Sequence, residues 1–257
     1  MTEQELKKLY DEIKMLPIIN EKRSFSRTIT KYKYKNSTIK VEKGSKIIIK
    51  YLNECDELDN SEGPAKIVFT IICDKYYLNE IGYYRNGRVS KEDGPAIILY
   101  YDEKVSMETY MINGNTIENK PTYIYYNKGV LYRKEWYKDD KLHNENGPAV
   151  VTYNEGEISS KTYYYEGKCH RTDGPAFQNW FDINEYYLYD NYYSEEQFNK
   201  VVSDIKNGIL PKQITDMTKS ELEKYACISK TLNNDLYEEI SAAILMLKML
   251  KDLEVQN

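Results

Sequence analysis

One tripeptide, Gly-Pro-Ala, constrains this chain more than any other feature. It occurs at residues 63–65, 94–96, 147–149 and 174–176, and Lys120-Pro121-Thr122 stands where a further copy belongs. The prolines fall at 64, 95, 121, 148 and 175, so successive spacings are 31, 26, 27 and 27 residues. A fixed period of this size marks a tandem array of one supersecondary unit. The flanking columns repeat as well. One residue after each Pro come Ala65, Ala96, Thr122, Ala149 and Ala176; three after come Ile67, Ile98, Ile124, Val151 and Gln178; five after come Phe69, Tyr100, Tyr126, Tyr153 and Trp180. Side chains two apart share one side of a strand. Each Pro therefore opens a strand with small, branched and aromatic residues on one face, a position that needs no N–H.

Turns and second strands complete the unit. Asn127-Lys128-Gly129 and Asn154-Glu155-Gly156 are the clearest turns, with Asp74-Lys75 and Asp102-Glu103 near the matching places. Asn, Asp and Gly tolerate the left-handed backbone of tight hairpins. Aromatic strands follow over Tyr76–Tyr84, Val105–Met111, Leu131–Tyr137 and Ile158–Tyr165. Second turns come at Asn86-Gly87, Asn113-Gly114, Asp139-Asp140 and Glu166-Gly167. Two residues before each Pro, an acid or amide (Glu62, Asp93, Asn119, Asn146, Asp173) is placed to close a turn on its own backbone. One repeat is thus strand, turn, strand, turn. A lone hairpin is marginal in water, so the copies must stack or pair.

The pattern divides the chain into three parts: an N-terminal helix and linker over 1–30, a β-hairpin repeat array over 31–193, and a C-terminal helical region over 194–257. Residues 31–52, with Tyr32-Lys33-Tyr34 and Ile47-Ile48-Ile49 about Lys43-Gly44, read as a degenerate first repeat. Thr2-x-x-Glu5, Ser194-x-x-Gln197 and Thr218-x-x-Glu221 are capping boxes. Leu6, Leu9, Tyr10 and Ile13 line one face of the first helix, which Pro17 stops, and Phe198, Val201, Val202 and Ile205 line the second. A last helix over about 235–254 carries Leu236, Ile240, Ile244, Leu247 and Leu250 on one side. These helices cover exposed sheet edges or bind a partner as a pair; capping is the simpler reading. The predicted fold class is mainly β with helical ends, an elongated antiparallel, solenoid-like hairpin array with capping helices.

Composition narrows the function classes. Tyrosine accounts for 27 residues against 5 Phe and 2 Trp, which suits strands packed on one face and wet on the other. The net charge of −5, with no block of one sign, argues against a general polyanion binder. Cys55, Cys73, Cys169 and Cys227 form no C-x-x-C pair and read as free thiols of a reducing compartment. The N-terminus has no apolar signal region, and the apolar run Ala242–Leu247 is too short to cross a bilayer. A soluble intracellular protein, without a transmembrane segment, is expected.

The strings Glu135-Trp136-Tyr137-Lys138-Asp139-Asp140-Lys141-Leu142-His143 and His170-Arg171-Thr172-Asp173-Gly174-Pro175-Ala176 resemble MORN-like repeats of the E-W-Y-x-x-G-x-x-H-R-x-D-G-P-A variety. Such repeats are frequent in proteins of large DNA viruses, and similar arrays occur in some bacteria and phages. True MORN repeats are shorter and more Gly-rich. The resemblance extends over roughly residues 51–190 and implies a β-hairpin array. By analogy it implies interaction or virion-scaffold roles in the host cytoplasm or the virion.

Candidate chemistry is sparse. His143 and His170 hold the same repeat position, but equivalent residues two strands apart lie about 10 Å from each other, too far to share one zinc. They read as turn or packing residues, and Cys169 beside His170 points to the opposite face. The acid and amide column before the prolines supplies too few oxygens per copy for calcium. No P-loop, G-x-S-x-G, H-E-x-x-H or dinucleotide fingerprint is present. The sequence therefore predicts no catalytic, cofactor-binding or metal site. The leading expectation is a non-enzymatic protein-binding or structural scaffold, with self-association or other virion proteins as partners. Its candidate contact residues are the aromatics before the second turn: Tyr84, Tyr110, Trp136, Tyr137 and Tyr164. A nucleic-acid or anionic-lipid binder is the alternative, and an enzyme with an unfamiliar site the third.

Overall fold

The computed structural model describes residues 1–35 and 37–254, with side chains described through Met246. Among the described residues, 15 strands form one open antiparallel sheet of hairpins and four further pairs of two-residue strands stand apart from it. The sheet begins with β1 (Ile18–Arg23), β2 (Thr28–Tyr34), β3 (Ser37–Lys43) and β4 (Ile47–Leu52). It therefore starts inside the segment read from sequence as an N-terminal helix and linker. The strand Ile-Ile-Asn-Glu-Lys-Arg has no buried side chain, so it lacks the alternation that identifies a strand.

Each repeat then builds one long and one short hairpin. The long hairpins are β5 (Lys66–Ile72) with β6 (Lys75–Gly82), β9 (Ile97–Tyr101) with β10 (Lys104–Thr109), β13 (Tyr123–Asn127) with β14 (Val130–Glu135), and β17 (Val150–Asn154) with β18 (Glu157–Thr162). The short ones are β7 (Tyr84–Arg85) with β8 (Arg88–Val89), β11 (Met111–Ile112) with β12 (Asn115–Thr116), β15 (Tyr137–Lys138) with β16 (Lys141–Leu142), and β19 (Tyr164–Tyr165) with β20 (Lys168–Cys169). The last copy is truncated to β21 (Phe177–Asn179), β22 (Asn184–Leu188) and β23 (Asn191–Tyr193). The second aromatic strand of the sequence pattern is thus two strands, broken at Tyr83, Tyr110, Trp136 and Tyr163.

The repeat positions explain themselves in this frame. Ala65, Ala96, Ala149 and Ala176 are wholly buried. The Ala96 N–H donates to the Thr109 carbonyl while its own carbonyl accepts from the Tyr83 N–H, and Ala65 and Ala176 donate likewise to Gly82 and Glu185. The place is closed to solvent and takes a small side chain. In the degenerate copy Thr122 fills the place, and its Oγ1 accepts the Tyr137 N–H at 3.1 Å. In two copies the turn is closed from four residues before Pro: the Asn60 and Asn144 amides donate to the carbonyls of Pro64 and Pro148 and accept the N–H of Glu62 and Asn146.

Both turns of the repeat place two successive residues at positive φ, as a type I′ hairpin requires. The pairs are Cys73-Asp74, Asp102-Glu103, Lys128-Gly129 and Glu155-Gly156 in the long hairpins, and Asn86-Gly87, Asn113-Gly114, Asp139-Asp140 and Glu166-Gly167 in the short ones. The short hairpins clasp one another. The second turn residue donates to the carbonyl six residues before the preceding proline: Gly87 to Leu58, Gly114 to Val89, Gly167 to Leu142 and, in the last copy, Asp190 to Cys169. Gly87, Gly114 and Gly167 also lie against the stems of Glu57, Arg88 and Lys141, so positive φ and close approach coincide there.

The chain resolves into two compact units, residues 1–139 with 153–157, and residues 140–152 with 158–257. In the first, α1 (Glu3–Lys14) lays Leu6, Tyr10 and Ile13 on Tyr32, Ile39, Ile49, Ile67, Phe69 and Ile81. Tyr10 meets the Phe69 ring edge-on at 5.6 Å. In the second, α2 (Glu195–Lys206), α3 (Lys219–Leu232) and α4 (Asn234–Glu254) gather Phe198, Val202, Ile205, Leu222, Ile228 and Ile240 around Leu188. All three expected capping boxes are formed. The side chains of Leu247 and Leu250 lie outside the described residues. Cys55, Cys73, Cys169 and Cys227 are free thiols. Among the described residues, no helix is long and apolar enough to cross a membrane.

Candidate protein-binding face

Cover is uneven within the first unit. Phe69 is completely buried under α1. Tyr100 and Tyr126, its equivalents in the next two copies, are half-buried. Across β9–β14 the buried side chains are Thr109, Thr122 and Glu135, none of them a large apolar group. The aromatic side chains of these strands are only partly covered, and Tyr101 and Tyr132 are exposed.

Carboxylates organise that surface. Glu108 pairs across the sheet with Ile98 and Ile124, which places it on the same face as Tyr100 and Tyr126. Its carboxylate accepts the hydroxyls of Tyr126 at 2.8 Å and Tyr110 at 3.0 Å. Glu135 pairs with Tyr123 and serves the opposite face. It accepts the hydroxyls of Tyr125 at 3.1 Å and Tyr137 at 3.3 Å, and the Arg133 Nε–H at 2.6 Å. Tyr123 stands edge-on to Tyr137 at 5.3 Å, and Tyr132 extends the cluster beside Tyr125 at 6.1 Å. Burial and then the Glu108 contact push the Tyr110 phenol up to about 12. Burial and then Glu135 push Tyr125 well above the usual phenol range. The phenols stay protonated near neutrality and donate to carboxylates, which fixes the rings in place. The rims are open, with Tyr101 80% and Tyr132 42% exposed.

The five aromatics expected from sequence as contact residues fall into two columns. Tyr84, Tyr137 and Tyr164 open short hairpins, and Met111 holds the equivalent place in the third copy. Tyr110 and Trp136 belong to the preceding column with Tyr83 and Tyr163, whose N–H groups donate to the next Ala or Thr carbonyl. The loop after Tyr110 is one residue shorter than its equivalents, so counting back from Pro121 puts Tyr110 level with Tyr84, Tyr137 and Tyr164. All five are half-buried. Tyr84 covers Gly82, where a Cβ would meet its ring at 2.7 Å. Reading strands by alternation alone missed Tyr123, Tyr125 and Tyr132; the recurrent Glu-x-Tyr of Glu108-Thr109-Tyr110 and Glu135-Trp136-Tyr137 was the available signal.

The histidines serve the clasp of the short hairpins in the second unit. The Glu166 N–H donates to His143 Nδ1 at 3.0 Å, and the Tyr189 N–H to His170 Nδ1 at 3.3 Å. Asp59 does the same for Asn86 in the first unit. Tyr165 lies between the two imidazoles, at 5.0 and 5.9 Å. Two grooves occur at equivalent repeat positions. One, of about 320 Å³, is lined by Glu145, Tyr163, His170, Arg171 and Asp173; the other, of about 490 Å³, by Glu62, Tyr83, Arg85, Lys91 and Asp93. In each a cation sits over a tyrosine ring, Arg171 on Tyr163 at 4.0 Å and Lys91 on Tyr83 at 3.8 Å. Arg171 is also bound to Asp173 at 2.7 Å. These contacts tie each loop to the tyrosine that precedes its own short hairpin.

Compared with known proteins, the chain matches no family model, no curated protein and no solved structure.

Proposed function

We propose that the chain is a non-enzymatic repeat scaffold that binds protein through the open aromatic face of β9–β14. The observation that supports this reading is the cluster of Tyr123, Tyr125, Tyr132 and Tyr137 around the buried Glu135 carboxylate. Hydrogen bonds fix the rings of Tyr125 and Tyr137, and the cluster is only partly covered, with Tyr132 42% exposed. Tyrosine is a frequent interface anchor, and side chains ordered in advance lose little entropy when a partner covers them. The resemblance to repeats of large DNA viruses suggests that the partner is an assembly protein or a second copy of the chain. The test compares wild type with Tyr101→Ser/Tyr132→Ser, which removes the exposed rim and leaves the Glu135 network. Sedimentation equilibrium reads self-association, and affinity capture from infected or native cells with quantitative mass spectrometry reads other partners. Loss of a complex in the variant, with an unchanged circular-dichroism spectrum, is expected. Identical profiles for both proteins would count against the proposal.

A further inference from the structure

The sheet register assembles a feature that the sequence scatters over 36 positions. Lys31 pairs with Lys40, Lys40 with Lys50, and Lys50 with Lys66. Directly opposed residues share a sheet face, and neighbouring strands are about 4.8 Å apart, so the four lysines make a row about 14 Å long. Like charges placed opposite each other are destabilising, and here three such pairs follow in succession. The side chains are 38%, 26%, 27% and 25% exposed, so each lysine is partly buried along the sheet and partly open to solvent.

Local carboxylates only partly balance the row. Lys31 meets Asp56 at 3.1 Å and Lys66 meets Glu80 at 2.8 Å. Lys40 at 3.1 Å and Lys50 at 2.8 Å share the buried Glu42 with Arg27. Five cations thus face three carboxylates. Burial, and after it Lys50, makes the Lys40 ammonium harder to keep charged; burial, then Lys66 and Arg27, does the same for Lys50. A bound anion relieves both effects. The shape of the row selects the anion. A compact phosphate calls for convergent ammonium groups, whereas a straight row follows a linear polyanion. A lipid surface calls for apolar side chains that protrude beside the cations, whereas the apolar neighbours on this face, Ile29, Ile48 and Val68, are half-buried or buried within the sheet beside Glu42 and Glu80. At the end of the row, Lys66 pairs with Gly82, and the Tyr84 ring lies over that glycine.

We propose that the row Lys31–Lys40–Lys50–Lys66 binds the phosphate backbone of a single-stranded nucleic acid, with the Tyr84 ring offered to a base. Backbone tracking by cations beside an aromatic platform is the general mode of such recognition. The site is separate from the tyrosine cluster of the protein-binding proposal and does not depend on it.

Fluorescence anisotropy with a fluorescein-labelled oligothymidylate tests it across salt concentrations. Each phosphate contact contributes a slope of about −0.7 in log K against log salt, so four contacts predict about −2.8 and a loss of about 50-fold between roughly 50 and 200 mM salt. Lys31→Gln/Lys66→Gln leaves all three partners of Glu42 in place and should halve the slope, reducing that loss to about 7-fold. Lys40→Gln/Lys50→Gln should do the same. Lys104→Gln/Lys128→Gln, at hairpin turns away from the row, should change nothing. If Lys40→Gln/Lys50→Gln melts early because Glu42 loses partners, the Lys31/Lys66 pair decides alone. No oligonucleotide binding at low salt would overturn the proposal, as would a slope that both row variants leave intact. Retention on phosphatidylserine vesicles through the same lysines, without oligonucleotide binding, would assign the row to a lipid surface and also overturn it.

Discussion

Protonating His170 should unfasten the last clasp of the array. The imidazole is 6% exposed, and its Nδ1 accepts the Tyr189 N–H, a bond available only when Nδ1 carries no proton. Burial pushes its pKa down to about 4, from 6.5 for a solvated histidine. The sign follows from linkage. Above the unfolded value both states are neutral and no stability depends on the group. As pH falls below that value the unfolded chain takes up a proton that the folded one refuses, so stability falls until the folded value is passed. With one pKa unit worth about 1.36 kcal/mol, the loss reaches about 2 kcal/mol near pH 5 and levels off at about 3 kcal/mol below pH 4. Two measurements check this. Histidine Cε1–H resonances followed by NMR should show one of the two rings titrating far below 6.5, and the His170→Gln spectrum identifies which. Urea denaturation of wild type and His170→Gln at about pH 7 and pH 5 should diverge by about 2 kcal/mol, since glutamine accepts the Tyr189 N–H without titrating. Parallel curves, or a His170 resonance with its midpoint near 6.5, would refute the reasoning.

Three further outcomes follow from the same geometry. Glu103 holds a φ of 60° where the equivalent turns have Gly129 and Gly156, so Glu103→Gly should raise stability by about 0.5–1 kcal/mol, the left-handed penalty less the entropy glycine loses, read by thermal melting. Gly82→Ala should cost about 1–3 kcal/mol by forcing the Tyr84 ring aside, and Tyr84→Ala in the same chain should remove most of that added cost; additive losses in the double-mutant cycle would show that the ring is not the obstacle. Glu42→Gln should destabilise by about 3 kcal/mol, because Arg27, Lys40 and Lys50 lose one buried carboxylate together, and a melting temperature within error of wild type would contradict the geometry described.

What the sequence disclosed, it disclosed where one residue type has one physical job. The prolines mark strand starts, the alanines mark a buried place that takes a small side chain, and Thr2, Ser194 and Thr218 mark helix starts, because each constraint is local. Legibility fails where partners are distant. Lys31, Lys40, Lys50 and Lys66 lie on four strands, and hairpin register alone makes them neighbours. The offset of Tyr110 from Tyr84, Tyr137 and Tyr164 is hidden in the sequence because a one-residue shortening lies between it and Pro121. The acids and amides two residues before Pro are expected to close the turn; in two copies Asn60 and Asn144 do so from two positions earlier, where an amide reaches both the Pro carbonyl and the N–H two residues on. β1 escaped notice because an edge strand with both faces wet has no hydropathy signature.

The clasp between short hairpins has a consequence for how such a chain grows. The fastenings of Gly87, Gly114, Gly167 and Asp190 reach back to the copy just before, through a main-chain carbonyl that any residue can supply. A duplicated segment of one period would find its socket already present and would offer the same socket to its successor. Array length can therefore drift by whole modules with little penalty, whereas gain or loss of a few residues inside a module slides aromatic columns past their carboxylate anchors.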